Sequence, residues 1–532
     1  MLVAMLAVSL VSAPAAAREA VYASAPAKIS VTVYRDPDRG PDRRIDRTRP
    51  RGFAVISETR KVTLPPGEST IRFEDVSEGM VAVSAIVTGL PGGTIEKNRN
   101  ADLLSPASLV DGTLGNRVTI TRTSRVTGAQ VSQDAIVRTR ADGGLVLQTE
   151  DGFEAVRCSG LPEKLTFDRI PDGLSAKPVF SVDTRDAAGG TYEIQLTYIS
   201  WGFDWEAHYV ASHTGKAADG KERLAMRSWL TLVNDNAQTF PDAQLLVVAG
   251  ALNIASRFDQ LASPPRARGL YLQCYPIGST AKGSPLSPAR PPPPAPPPAP
   301  MAYLAETDGI VVTGSRISRR GVGEDGRPVL AGEENLGDLK LYRVPGTVDV
   351  AAKSMKQIAF LDRDNVKAAF QYRFACSPWE GGDDTASPLT IWLRTKNDKA
   401  NGLGMALPMG GVTLFEPSSH GDELIAEPTM QEYAEGRDVE LQLGQSPNLF
   451  GLCTKNPRQK GNPWIPMYAT LTNANPFPVE VRIDLGSPAD WNARVKGKGL
   501  AVRDGQWSIQ QTVKANTSAK IAWEQRSAEG SE

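Results

Sequence analysis

Strand-forming runs, each about five to ten residues long and closed by glycine or proline, recur along nearly the whole chain, and this limits what it can fold into. "KISVTVY" (28–34) alternates polar and apolar residues, the period-two pattern of a strand with one buried face. "FAVISETRKVTL", "STIRFEDV" and "MVAVSAIVTGL" follow, parted by "PPGE" and "SEG". "GNRVTITR", "AQVSQDAIVRTR", "GGLVLQTEDGFEAVR" and "KLTFDRI" continue at similar spacing. The 48 glycines and 40 prolines among 532 residues supply turns, and no internal repeat is present. Helical periodicity is almost missing up to about residue 160, where only "ADLLSPASLVDG" reads as a short helix. The pattern predicts an all-β protein of multiple β-sandwich-like or barrel-like domains.

Three stretches break the pattern. Residues 1–17, "MLVAMLAVSLVSAPAAA", are apolar and end on an Ala-x-Ala pattern at Ala15 and Ala17, as a secretory signal peptide cut near Arg18 would. The usual basic start is missing, which points to a start codon upstream; a buried strand or membrane anchor is the rival reading. Residues 35–52, "RDPDRGPDRRIDRTRPRG", are dense in Arg and Asp with no apolar face, and are expected to form a solvated loop between two strands. A basic patch for phosphate or acidic lipid is the sharper reading, against which the interspersed aspartates argue. Residues 256–340 hold "SPPRARG", "GSPLSPARPPPPAPPPAP" and "RRGVGEDGRPV", a composition that favours extended polyproline and is expected to be a long disordered Pro-rich insertion. The expected organisation is therefore an N-terminal β region over 18–160, a β unit over 161–255, the insertion over 256–340, and a β-rich C-terminal half over 341–532.

The formal net charge of −1 gives no bulk electrostatic pull toward nucleic acid or membrane. Outside the leader, no apolar run is long enough for a spanning helix. Export implies an oxidising compartment, where Cys158, Cys274, Cys376 and Cys453 allow two bridges in three connectivities; Cys376 with Cys453 is one guess, and buried free thiols are the alternative. No pair has zinc-like spacing.

Motifs for chemistry are sparse. Of three histidines, His208 and His213 do not share a helix face as in H-E-x-x-H, and His420 sits between Ser419 and Asp422 in "PSSHGD", which reads as a β-turn, since triad members converge from separate elements. "NGLGMALPMGG" (401–411) lacks the closing Gly-Lys-Ser of a phosphate loop, and Leu407 breaks G-x-G-x-x-G; it reads as a loop entering the strand "VTLFE". Asp36, Asp38 and Asp42 are spaced as in a calcium loop without its closing glutamate, and arginines compete for their charge. The corner "SWGFDWEAHY" offers Trp201, Trp205 and Tyr209 either as core or as an aromatic platform for carbohydrate. No catalytic residue, metal site or cofactor is assigned.

The run from "PEKLTFDRIPDGLSAKPVFSVDTRD" through "YISWGFDWEAHYV" to "NDNAQTFPDAQLLVVAG" resembles the domain-of-unknown-function family 4139, which includes mucoidy-inhibitor-like envelope proteins. "LYRVPGTVDVAAKSMKQIAFL", "GMALPMGGVTLFEPSSHGDELIAE" and "NPFPVEVRIDL" continue the likeness in the same order. The N-terminal "KISVTVY" and "VTLPPGESTIRFEDV" are similar to the small β domain that precedes it in relatives, whereas the coiled coil many relatives carry has no counterpart here. The resemblance implies a β-rich exported protein and supplies no reaction.

"ETDGIVVTGSRI" (306–317), just after the proline run, resembles the TonB box and plug entry of TonB-dependent outer-membrane receptors. A disordered tether would present Ile310, Val311, Val312, Thr313 and Gly314 as a strand able to add to a partner's sheet edge. An inert spacer is the alternative; the segment is not at the mature N-terminus and no receptor barrel follows. Together these readings predict a non-enzymatic periplasmic or outer-membrane-associated protein that scaffolds or binds other envelope proteins. A hydrolase of envelope polysaccharide or peptide and a carbohydrate-binding module are the rivals.

Overall fold

A computed structural model describes residues 18–528 except 101–103, 142–143, 157–162, 172–173, 218–219, 251, 253, 255–256, 263–269, 271–329, 381–384, 459 and 498. The protein is all-β. Residues 1–17, expected to be a signal peptide, Cys158, Cys274, the proline run and the segment 306–317 lie outside the described residues.

The organising element is the strand Gly190–Lys216, 27 residues long. Straight, it would extend about 90 Å, more than one sheet can cover. Its pairing changes at Gly202, which has φ of +90° and would place a Cβ 3.0 Å from the Asn236 amide. Before that point it pairs with Gly52–Leu64 on one side and Met80–Thr88 on the other. Beyond it, the partners are Glu222–Asn234, antiparallel, and Gly410–Ser418, parallel. The first sheet continues through Lys28–Tyr34 and, in parallel, Phe240–Ala249, then Leu339–Arg343 and Gly332–Leu336. A four-stranded sheet, in the order Glu19–Tyr22, Gly67–Glu74, Val179–Asp186, Glu96–Asn100, shares its core.

That core explains why residue 160 is no packing boundary. Val31, Ile56, Ile71 and Phe73 from the N-terminal region are buried with Phe180, Leu196, Trp205, Tyr209, Leu245 and Phe360. The inward period-two positions of "KISVTVY" and "FAVISETRKVTL" find their partners in strands far along the chain, which local pattern does not reveal.

Within residues 104–167 a five-stranded antiparallel sheet has its own small core of Val110, Val118, Ile120, Val137 and Leu147. The expected short helix is present as Pro106–Gly112. Proline stands in its first turn, and the Ser105 hydroxyl accepts from the Ser108 amide while Ser108 returns the bond.

The C-terminal half is joined to the first core by shared strands. Ser354–Ala375 pairs first with Glu222–Asn234, then with Ser387–Lys396 and Val479–Gly486. Asp438–Lys455 likewise runs from one core to the other. The second core holds Leu389, Met467, Ile483 and Trp523 around a Cys376–Cys453 disulfide, with Cα atoms 5.4 Å apart.

Order also reaches further into the biased tract than its composition indicates. Phe258–Ala262 is helical, and Gly332–Leu336 forms a hairpin with Leu339–Arg343 across Gly337 and Asp338. That edge strand is wholly exposed, so it carries no apolar face to betray it.

Candidate functional site

The Arg/Asp-rich loop is the first surprise. It is anchored, not solvated throughout: Asp36, Arg39 and Ile45 are buried. Asp204, 2% exposed, takes its Oδ1 into three contacts, from the Asp36 amide at 3.1 Å, the Trp205 amide at 2.8 Å and Arg39 Nη2 at 3.0 Å. Arg39 also donates to the Trp205 carbonyl, and Glu206 accepts from the Ile45 amide at 3.0 Å. Burial nevertheless pushes the Asp204 carboxyl up to about 6, because desolvation outweighs the opposing Arg39 charge. Gly411 admits the Arg44 guanidinium so closely that a Cβ there would stand 2.0 Å from it. The expected solvated loop thus becomes a clamp because its arginines outnumber its aspartates and find Asp204 and Glu206 on the facing strand.

The candidate platform at the corner is not a surface. Trp205 and Tyr209 are fully buried, their polar atoms donating to the Val248 and Pro408 carbonyls at 3.2 and 2.8 Å. Trp201 is partly buried. Inward alternation on the strand, the core reading weighed above, is what holds here.

A cleft of about 550 Å³ lies instead beside the loop, where Asp42 meets Trp392, Glu427, Gln431, Tyr433, Glu440 and Gln442. Strands Ser387–Lys396 and Asp438–Lys455 set Trp392 directly opposite Gln442 and Arg394 opposite Glu440. Leu393 and Leu441 turn into the core, so Trp392 and Gln442 take the outer face. Arg373 stacks on the Trp392 ring at 4.4 Å, and Arg373 and Arg394 each approach the Glu440 carboxylate to 2.6 Å. The Tyr433 hydroxyl donates to the Glu440 carbonyl at 3.1 Å, and burial raises its pKa. The sequence did hold a signal for this site: in "PLTIWLRTK" an indole occupies an outward position beside Thr390 and Arg394.

The histidines are dispersed. His208 meets Thr413 Oγ1 at 2.9 Å, with its pKa lowered by burial and then by Arg44. His213 pairs with Glu222 at 2.9 Å. His420 and Ser419, 3.0 Å apart, are neighbours in an exposed hairpin turn. That hairpin, Gly410–Ser418 with Gly421–Ala426, ends in an edge strand whose Leu424 is 53% and Ile425 41% exposed. Asp36, Asp38 and Asp42 do not converge: Asp36 is buried, Asp38 pairs with Arg51, and Asp42 borders the cleft. Among the described residues no group of three or more His, Cys, Asp or Glu is arranged to hold a metal, and no helix is long and apolar enough to cross a membrane. Ile310 to Gly314 fall outside the described residues, so the expected displayed strand has no geometry here.

No family model, curated protein or solved structure matches the chain.

Proposed function

We propose that the chain is an exported, non-catalytic cell-envelope protein, periplasmic or peripherally attached to the outer membrane, that engages other envelope proteins by strand addition. The motif resemblance to family 4139 noted in the sequence, which no family-model match accompanies, points to an envelope setting, and the Cys376–Cys453 bridge is of the kind oxidising compartments favour. One observation carries the interaction reading: the edge strand Gly421–Ala426 pairs, among the described residues, with Gly410–Ser418 alone, and it exposes Leu424 and Ile425. Edge strands are ordinarily blunted by charge or covered, because their free backbone groups template further pairing. Here Asp422 and Glu423 charge the end next to the turn, while the far end at Leu424 and Ile425 is apolar; that apolar end is an acceptor for an extended segment, and Ile310–Thr313 would be a donor to a partner's sheet.

Photo-crosslinking in the intact envelope, from probes placed at position 424 and at position 311, tests this. Adducts to discrete envelope proteins are expected at both. Val311→Pro with Val312→Pro should abolish the second adduct, since proline removes a backbone donor. Leu424→Lys with Ile425→Lys should abolish the first while the melting temperature holds. Unchanged adduct yields in both variants would defeat strand addition.

A further inference from the structure

We infer that the cleft beside Trp392 is a binding site for neutral oligosaccharide. The inference stands apart from strand addition, because the Trp392 strand is already paired on both sides, with Ser354–Ala375 and Asp438–Lys455. Its backbone ladder is occupied, so recognition here falls to side chains. Those side chains are of two kinds. One is an indole whose first face is taken by the Arg373 guanidinium and whose remaining surface lines the cavity. The other is a ring of carboxylates and amides: Asp42, Glu427, Gln431 and Gln442.

A pyranose offers the matching surfaces. Its axial C–H groups form an apolar patch that lies on an aromatic face, and its hydroxyls donate to carboxylates and both donate to and accept from amides. Charge narrows the class. No lysine or arginine lines the cleft among the described residues. The two arginines behind it, Arg373 and Arg394, are committed to Glu440. Asp42 and Glu427 therefore leave the cleft negative, which disfavours phosphate, sulfate and uronate ligands. A volume of about 550 Å³ falls within the range of ligand sites and admits two or more sugar rings.

Isothermal titration of the full chain with cellotetraose, fully N-acetylated chitotetraose and tetragalacturonate, with tryptophan fluorescence read in parallel, is the test. Binding of at least one neutral tetrasaccharide is expected, with tetragalacturonate weaker by roughly tenfold or more. Trp392→Ala should weaken the neutral ligand by at least roughly tenfold, and Gln442→Ala by about threefold. Gln442 is exposed, so its truncation leaves the fold intact and keeps the test decisive should Trp392→Ala misfold. Trp379→Ala, at a 74% exposed ring outside the cleft, should change nothing. No binding of either neutral tetrasaccharide, binding undiminished in Trp392→Ala and Gln442→Ala, or tetragalacturonate bound as tightly as the neutral sugars would each overturn the assignment.

Discussion

Asp204→Asn should remove a pH-dependent component of stability whose size can be worked from the clamp. The Asp204 carboxyl has its pKa raised from an ordinary 3.8 to about 6 in the folded protein. A raised carboxyl favours the protonated form on folding, so the native state binds more protons than the unfolded chain between those values. Stability from this group is then fully present below about pH 4, declines as pH rises toward about 6, and is level above that. The total loss is about 3 kcal/mol. Asparagine cannot titrate, while Arg39 stays charged throughout, so the quantity to follow is the gap between wild type and Asp204→Asn. Urea unfolding at intervals between about pH 4 and pH 7, followed by tryptophan fluorescence, should show wild type losing about 3 kcal/mol relative to the variant. Two parallel stability profiles would refute the reasoning, since desolvation of Asp204 would then be fully offset by its donors. Arg39→Met sharpens the point. Without the guanidinium the carboxyl loses the contact that lowers its pKa, so the decline should continue to higher pH, and breaking a buried pair on one side should cost about 3–5 kcal/mol near neutrality.

Two further perturbations probe the frame. Replacing Cys376 and Cys453 together by serine opens a link across a sequence separation of 77; the loop-entropy relation gives a loss of about 4–5 kcal/mol, read as a lower melting temperature that reducing agent reproduces in wild type. Tyr198→Phe removes a fully buried hydroxyl that donates to Glu58 at 2.9 Å and accepts from the Ser77 amide at 3.1 Å; a loss of about 1–3 kcal/mol is expected in chemical denaturation, and a neutral result would mean those groups find other partners.

Strand positions and their buried faces were largely legible. "FAVISETRKVTL" alternates as written, and its inner face runs Ile56, Glu58, Arg60, Val62. The same example shows the limit. The alternation places a carboxylate and a guanidinium inside, but only the fold shows that they neutralise each other at 2.6 Å and that burial raises the Glu58 pKa against the Arg60 charge. Likewise the Arg/Asp loop read as solvated because a loop's own residues are the only partners a local reading can weigh. Its countercharge, Asp204, stands on a strand that reads as aromatic corner.

The cleft was legible only as an outward indole, for a related reason. Period two assigns each residue a face, and on that basis Trp392 belongs outside with Thr390 and Arg394. It does not assign a neighbour across the ladder, and a ring on an outer face is a site only when polar groups from elsewhere surround it. Here Gln442 comes from the next strand, Gln431 and Tyr433 from the segment before it, and Asp42 from a loop held in place by Arg39 on Asp204 and by Ile45 on Glu206. The clamp and the cleft are therefore coupled. Arg39→Met should weaken a neutral tetrasaccharide even though Arg39 does not line the cleft, because it removes a buried anchor of the loop that carries Asp42. Asp42→Asn should weaken the same ligand while leaving stability unchanged. If Arg39→Met unsettles the protein but binds the sugar as wild type does, the loop contributes nothing to the site, and recognition rests on the strand face alone.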